Sequence, residues 1–524
     1  MVSHQLSVTS HYDIIIIGTG AGGGTLAYAL ASAGKRILIL ERGGWLPREK
    51  ENWDAKEVFA RERYHTRETW YDGDGKPFRP STNYYVGGNT KVYGAVLLRF
   101  RERDFEKVQH HDGVSPEWPV KYRDFAPYYT RAEKLYGVHG QRGADPTEPA
   151  ESEPFPFPAV RHEPRIREVY DGLKAQGLHP FPLPVGVRLD EENPHLSKCI
   201  KCDTFDGFPC LVDAKYDSAT TCILPILGLP NVTLLTEALV TRLETDSTGR
   251  SVTAVHVDRK GAQEQYSADI VVVACGAINS AALLLRSAND RHPNGLANRS
   301  GQVGRNFMFH NNSAMLAVSR KPNPGKFTKT IGLNDFYWGA DDFEYPLGHI
   351  QTLGKSLPEQ LEGDAPSLLI PGVGLTLDLL AKHSIDWWVT TEDLPDPNNR
   401  VTLTKDGRIQ LRYTPNNTEP HKRLLAKLKH AMEHVEGGMT HFIPQAVYLS
   451  KRIPIAGVAH QCGAARFGAD PETSVLDVNC KAHDLDNLYV VDSSFFPSSS
   501  SCNPSLTIIA NALRVGDHLI ERMA

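Results

Sequence analysis

The stretch from Tyr12 to Glu41 constrains this chain most. Tyr12-Asp13-Ile14-Ile15-Ile16-Ile17 is a β-branched apolar run, the pattern of a strand covered on both faces. Gly18-Thr19-Gly20-Ala21-Gly22-Gly23 follows at once. Thr25 to Ala33 then reads as a small-residue helix stopped by Gly34, and Arg36-Ile37-Leu38-Ile39-Leu40 reads as a second strand ending on Glu41. Strand, glycine turn, helix, strand and acid in this order form a dinucleotide-binding unit. Gly18 permits the tight turn, Gly20 lets a pyrophosphate approach the backbone, and Gly23 lets the helix pack closely on the strand. The helix N-terminus stabilises phosphate charge. Glu41 stands where a carboxylate accepts hydrogen bonds from ribose hydroxyls, which argues against a ribose 2′-phosphate and hence against NADP.

Sheet segments of the same kind recur far downstream. Val232–Leu235 and Ala238 to Leu243 read as short strands, and Ala268 to Ala274 as a buried strand. A turn at Cys275-Gly276-Ala277 leads into a helix over Asn279 to Ser287. Near the end, Leu488 to Val491 is a strand followed by Asp492, and Thr507 to Arg522 is a helix. At 524 residues the chain exceeds one compact core, so two domains are expected. The fold class expected is α/β. A Rossmann-type domain made of residues 1–105, 195–310 and 455–524 carries an inserted α+β substrate domain, residues 106–194 and 311–454, built on an antiparallel sheet. Within the insertion the strands are Ala314–Val318, Val401–Leu403 and Arg408–Tyr413, with a helix over His421 to Glu436. Residues 106–194 are rich in Pro, His and charge and show no clean period.

Composition excludes other classes. Lys and Arg number 57 against 62 Asp and Glu, a net charge of −5 without long runs, unlike the basic face that nucleic-acid binding needs. No apolar stretch approaches the ~20 residues of a membrane span. Met1 to Ser10 lacks the basic and apolar regions of a signal peptide. Eight cysteines in 524 residues make no disulfide framework, so a reducing, cytoplasmic setting is expected. Cys199-Ile200-Lys201-Cys202 with Cys210 and His195 has irregular spacing and a single CxxC, so no metal is expected and the thiols are read as packed or loop residues.

Four separated stretches carry a family likeness: Gly18 to Gly23 with Glu41; Val86-Gly87-Gly88-Asn89-Thr90-Lys91-Val92-Tyr93-Gly94-Ala95; Gly276-Ala277-Ile278-Asn279-Ser280; and His460-Gln461-Cys462-Gly463 through Asn503-Pro504-Ser505-Leu506-Thr507. Together and in this order they resemble a glucose–methanol–choline (GMC) oxidoreductase. Glu392 to Val401 and Cys210 to Pro225 are most similar to the pyranose oxidase and glycoside oxidase branch. The resemblance implies FAD as cofactor. Gly88, Asn89 and Thr90 would lie along the flavin, Val240 would give backbone contacts to adenine, and Asp492 would hold the ribityl or pyrophosphate region. Thr507 closes the fourth stretch and belongs to the same cofactor-binding set. Pyranose oxidases of the fungal type attach FAD through a His after the paired glycines. Here that stretch reads Thr90-Lys91-Val92-Tyr93, so dissociable FAD is expected.

Oxidising an alcohol needs a base for the hydroxyl proton and an acceptor for the carbinol hydride. Histidine suits the base, because its unperturbed pKa lies near operating pH. The resemblance makes His460 that base and Asn503 the group that holds the substrate oxygen. His310, in Gly304 to His310, matches a loop near the flavin and is read as structural. Trp387 and Trp388 are adjacent, so one would be buried by strand alternation while the other could stack on a sugar. The implied activity is oxidation of a secondary alcohol of a sugar or glycoside, with O2 reoxidising the flavin and giving H2O2. The alternatives are a dehydrogenase of the same family using a quinone or other non-oxygen acceptor, or a non-redox FAD-containing lyase.

Overall fold

The computed structural model describes residues 10–150, 152–362, 376–435, 441–443 and 460–524. The expected domain limit at 454/455, residue Glu436 and the stretch before Ser10 lie outside them.

Five parallel strands form the heart of the first sheet, in the order Val232–Leu235, Ile37–Leu40, Ser10–Ile17, Ala262–Val273, Leu488–Val490. Ile14 pairs with Ile37 on one side and Ile270 on the other, and Ile14 to Ile17 are all buried, as a strand covered on both faces requires. The strand expected at Ala268 starts six residues earlier. Its half-exposed first part pairs antiparallel with Val252–Arg259, which pairs in turn with Ala238–Thr245, while its buried second part carries Leu488–Val490. One strand thus serves a parallel sheet and an antiparallel meander.

The first helix begins at Ala21 rather than Thr25, with three glycines inside it. Glycine weakens a helix by about 1 kcal/mol, which pushes the sequence-based start downstream. Close packing overrides that penalty. A Cβ on Gly22 would lie 2.0 Å from Val491 O, and one on Gly23 would lie 2.1 Å from Gly18 O. The helix ends at Leu30, tightens to a 3₁₀ turn over Ala31–Ala33, and stops at Gly34 with φ 70°.

The second sheet is antiparallel, in the order His441–Ile443, Asn311–Val318, Ser384–Thr391, His349–Thr352, Ile331–Leu333, Phe181–Pro182. One face buries Met315, Ile350, Ile385, Trp387 and Val389 against the helices Pro164–Ala175 and Thr418–Val435. On the opposite face Ala314, Trp388 and Gln351 form one cross-strand row, Ala314 pairing with Trp388 and Trp388 with Gln351. Alternation therefore decides between the two tryptophans: Trp387 is core and Trp388 is not. The expected strands near Val401 and Arg408 exist as Arg400–Leu403 and Ile409–Arg412, but they belong to a separate sheet with Trp70–Asp72 and Pro77–Phe78. Val401, Ile409 and Leu411 pack into the first core, which draws this hairpin away from the second sheet.

The described residues of 106–194 contain two helices, divided between the cores. Tyr122–Leu135 packs on the C-terminal helix Ser505–Met523, through Tyr129 against Thr507 and Arg131 against Asp517. Pro164–Ala175 packs under the second sheet.

Candidate active site

A cavity of about 940 Å³ runs from the glycine turn to the Ala314–Trp388–Gln351 row. Its volume is near the upper end of ligand sites. Gly18, Gly20 and Glu41 line it, as do Gly88, Asn89, Thr90, Val240, Asp492, His460 and Asn503. The structure thus brings together ten of the twelve residues expected. Gly23 and Thr507 lie off the cavity. Gly23 is pressed against Gly18 O and Ala274, and the Thr507 hydroxyl is hydrogen-bonded to Tyr129 at 2.8 Å, facing the Tyr122–Leu135 helix.

Two helices open onto this space, one at Ala21 and one at Ser505, and neither start has a side-chain cap. Their first-turn N–H groups and the positive ends of their dipoles favour an anion here. A Cβ built on Gly20 meets nothing within 4 Å, so its backbone faces open space. Glu41 is buried; its Oε2 accepts from Thr19 N at 3.1 Å and Thr19 Oγ1 at 2.5 Å, and its Oε1 accepts from Gly43 N at 2.8 Å. Burial pushes its pKa up, with those hydrogen bonds opposing. Oε1, with a single donor, retains acceptor capacity for a ribose hydroxyl. Thr19 Oγ1 also accepts from Gly87 N at 2.9 Å, which locks the glycine turn to the Gly88 segment.

Asp492 is tied up more fully. Its Oδ2 accepts from Gly276 N and Ser280 Oγ, and its Oδ1 accepts from Ser494 N and Oγ. The side chain caps the short helix Ser493–Phe495 and fastens it to the start of the Ala277–Arg286 helix. Four protein donors leave the carboxylate as a brace. Thr90 Oγ1 donates to Gly87 O at 2.5 Å and accepts from Ser218 N at 3.0 Å, and Asn89 Oδ1 accepts from Asn83 N at 3.0 Å. Both side chains hold the turn that presents Gly88 to the cavity.

At the other end, His460 Nδ1 lies 3.1 Å from His310 Nδ1, and His460 Nε2 lies 3.5 Å from Asn503 Nδ2. His310 Nε2 lies 3.0 Å from Ser499 O. A carbonyl only accepts, so His310 carries its proton on Nε2. Burial lowers the pKa of His310, and burial followed by the field of His310 lowers that of His460 well below the usual imidazole value. Neutral His310 then offers a lone pair at Nδ1, to which His460 Nδ1–H donates. His460 Nε2 is left unprotonated beside the Asn503 amide. His310 was the residue whose contribution the sequence did not reveal. It has φ 70°, uncommon for a non-glycine residue. Asp393 holds that backbone by accepting from Phe309 N at 3.0 Å and His310 N at 2.9 Å. Nothing in the sequence linked residue 310 to residue 460.

Cys210 Sγ accepts from Ala214 N at 3.3 Å, Cys202 is partly buried and Cys199 is buried. His195 is exposed. Among the described residues no group of three or more His, Cys, Asp or Glu could hold a metal ion. All eight cysteines are free thiols. No helix among the described residues is long and apolar enough to cross a membrane.

Family models described as GMC oxidoreductase match residues 12–312 and 395–512. The chain is 30% identical to 6'''-hydroxyparomomycin C oxidase of Streptomyces lividus, over 98% of this chain and 92% of that one. It is 29% identical to paromamine 6'-oxidase of Streptomyces fradiae, over 96% and 90%. Among solved structures it superposes on pyridoxine 4-oxidase from Mesorbium loti with a TM-score of 0.67 at 19% identity, covering 97% and 98% of the two chains. Formate oxidase gives 0.68 at 16% identity, covering 99% of each; these two likenesses are of fold.

Proposed function

The chain belongs to the GMC oxidoreductase family, a family of FAD flavoproteins, and from that premise we propose that it oxidises a secondary alcohol of a sugar or glycoside to the keto-sugar. The observation that carries this reading is the placement of His460, with Nδ1 3.1 Å from His310 Nδ1 and Nε2 3.5 Å from the Asn503 amide, in a cavity continuous with the dinucleotide turn. The names of the two Streptomyces relatives, both oxidases of sugar-containing compounds, support the substrate class.

The residues present fit FAD: an open backbone at Gly20, two uncapped helix starts, and Glu41 with acceptor capacity. Gly20 to Gly22 with the helix start at Ala21 would hold the pyrophosphate, Glu41 the ribose, and the strand at Val240 the adenine. When bound, FAD supplies a hydride acceptor. His460 Nε2 takes the hydroxyl proton as the carbinol C–H bond breaks. The Asn503 amide donates to the substrate oxygen and fixes its distance from that base. His310, by accepting from His460 Nδ1–H, holds the tautomer that leaves Nε2 free. With O2 as final acceptor, the proton and hydride together yield H2O2. We keep the two-domain division and a cytoplasmic, reducing location as part of this reading; the eight free thiols support the latter.

A sugar and glycoside panel tests the reading. Substrates should bleach the flavin without oxygen and produce H2O2 with it. No bleaching by any carbohydrate overturns the substrate class, and bleaching without peroxide on re-aeration overturns O2 as acceptor. Acid precipitation should release FAD into the supernatant, because Thr90 to Tyr93 offers no histidine for a covalent bond. Flavin retained in the pellet would show attachment.

A further inference from the structure

Lys329 lines the cavity and is 3% exposed. Its ammonium is 2.6 Å from Asp206 Oδ1, and Asp206 Oδ2 accepts from Gly354 N at 2.6 Å. The pair is pressed onto the Val86–Ala95 segment: a Cβ on Gly94 would lie 2.1 Å from Asp206 Oδ1 and 2.2 Å from Lys329 Nζ. Glycine at 94 is therefore a matter of space for this ion pair. The same wall carries Trp388, whose ring centroid is 6.4 Å from that of His460. Its Nε1–H is buried with no hydrogen-bond partner among the described residues.

The protein satisfies the carboxylates of the cavity. Four carboxylates line it, and each has protein partners: Glu41 with Thr19 and Gly43, Glu62 with Arg79, Asp206 with Lys329 and Gly354, Asp492 with Gly276, Ser280 and Ser494. Near the Trp388 row the carboxylate is Asp206, whose charge is matched by Lys329 and whose two oxygens each already accept one protein donor. Lys329 uses one of its three donors on Asp206.

We infer that the substrate end of the cavity is a subsite for uncharged sugars and glycosides, with Lys329 and Trp388 donating to their hydroxyl oxygens, and that it discriminates against sugars bearing an ammonium group. This rests on the reading that carbohydrate alcohols are the substrates. An ammonium brought here loses its water, finds the local carboxylate occupied, and meets Lys329 as a like charge. Hydroxyl groups carry a much smaller desolvation cost, meet no like charge, and satisfy the donors that the protein leaves over. The chain thus departs from what the names of its Streptomyces relatives would suggest.

The test is stopped-flow flavin reduction without oxygen, on the yellow holoenzyme. Methyl β-glucoside is compared with its 2-amino-2-deoxy and 6-amino-6-deoxy derivatives at a pH where the amines are protonated. The neutral glucoside should have a kred/Kd about 10–100-fold above both amino compounds. In Lys329→Met, Asp206 becomes free to pair with an ammonium, so the ratio of amino to neutral substrate should rise about tenfold or more. In Asp206→Asn the same ratio should fall below that of the wild type. These opposite shifts are ratios within one protein, so a general loss of stability does not produce them. Amino sugars that reduce the wild-type flavin as readily as the neutral glucoside overturn the inference alone. So does an unchanged ratio in both variants. A flavin that no carbohydrate bleaches overturns the parent reading and this one with it.

Discussion

Replacing His460 by alanine should slow anaerobic flavin reduction by about 10²–10⁴-fold and leave the protein yellow. The imidazole touches His310 and Asn503 at the end of the cavity away from the glycine turn, so its loss should spare FAD binding. Asn503→Ala should cost less, on the order of 10–10³-fold, since it removes a donor and no proton acceptor. The double variant should fall short of the product of the two, because both residues act on one oxygen. The pH profile follows from the environment. Burial and His310 hold the His460 pKa below its ordinary value, so the base is free at neutral pH. The reduction rate should be level above roughly pH 6.5 and fall only as pH drops through the lowered pKa. An inflection above that value would contradict the assignment. Wild-type rates in His460→Ala with FAD retained would move the search for the base to His310, whose Nδ1 is 3.1 Å away.

Gly20→Val should give a folded, colourless protein. Gly20 has φ −64° and ψ −167°, backbone angles open to any residue, and a Cβ there meets nothing within 4 Å. The fold therefore accommodates valine, while its side chain fills the space through which a pyrophosphate reaches the backbone. Far-UV circular dichroism should match the wild type, and the flavin absorbance should vanish. The melting temperature should fall toward that of wild-type apoprotein, since a ligand that binds only the folded state adds RT ln(1 + [L]/Kd). A yellow Gly20→Val protein would place the dinucleotide elsewhere. Gly22→Val serves as contrast: its Cβ would lie 2.0 Å from Val491 O, so that variant should fail to fold.

The dinucleotide turn was legible because all its parts are local: a buried apolar run, glycines at fixed offsets and an acid closing the second strand. The tryptophan pair was legible as an alternative, and strand alternation resolved it in favour of Trp388 on the cavity. The rest depends on contacts between distant residues. Lys329 and Asp206 are 123 positions apart, and His310 and His460 are 150 apart. Neither pair has a spacing that a sequence displays. The helix Tyr122–Leu135 was hidden by its composition, since it carries Pro127, two adjacent tyrosines and several charges, yet buries Phe125 and Tyr129. The helix start at Ala21 was hidden by glycines whose low propensity is overridden by close packing. Thr507 was assigned to the cofactor on likeness, but its hydroxyl serves the contact between two helices.

The strand Ala262–Val273 has neighbours from both extremes of the chain, Ser10–Ile17 on one side and Leu488–Val490 on the other. During synthesis the glycine turn leaves the ribosome long before the strand that completes its sheet. Until then Val271 to Val273 present an unpaired apolar edge, the kind of surface on which nascent chains associate wrongly. High contact order of this sort slows folding, so the unfinished protein depends on chaperones for longer than a sheet closed by neighbouring strands would. The late segment also brings Asp492, which braces Gly276, and the helix start at Ser505. Flavin loading should therefore be a late step of maturation, and an expression host short of FAD or chaperone capacity should accumulate aggregates rather than soluble apoprotein.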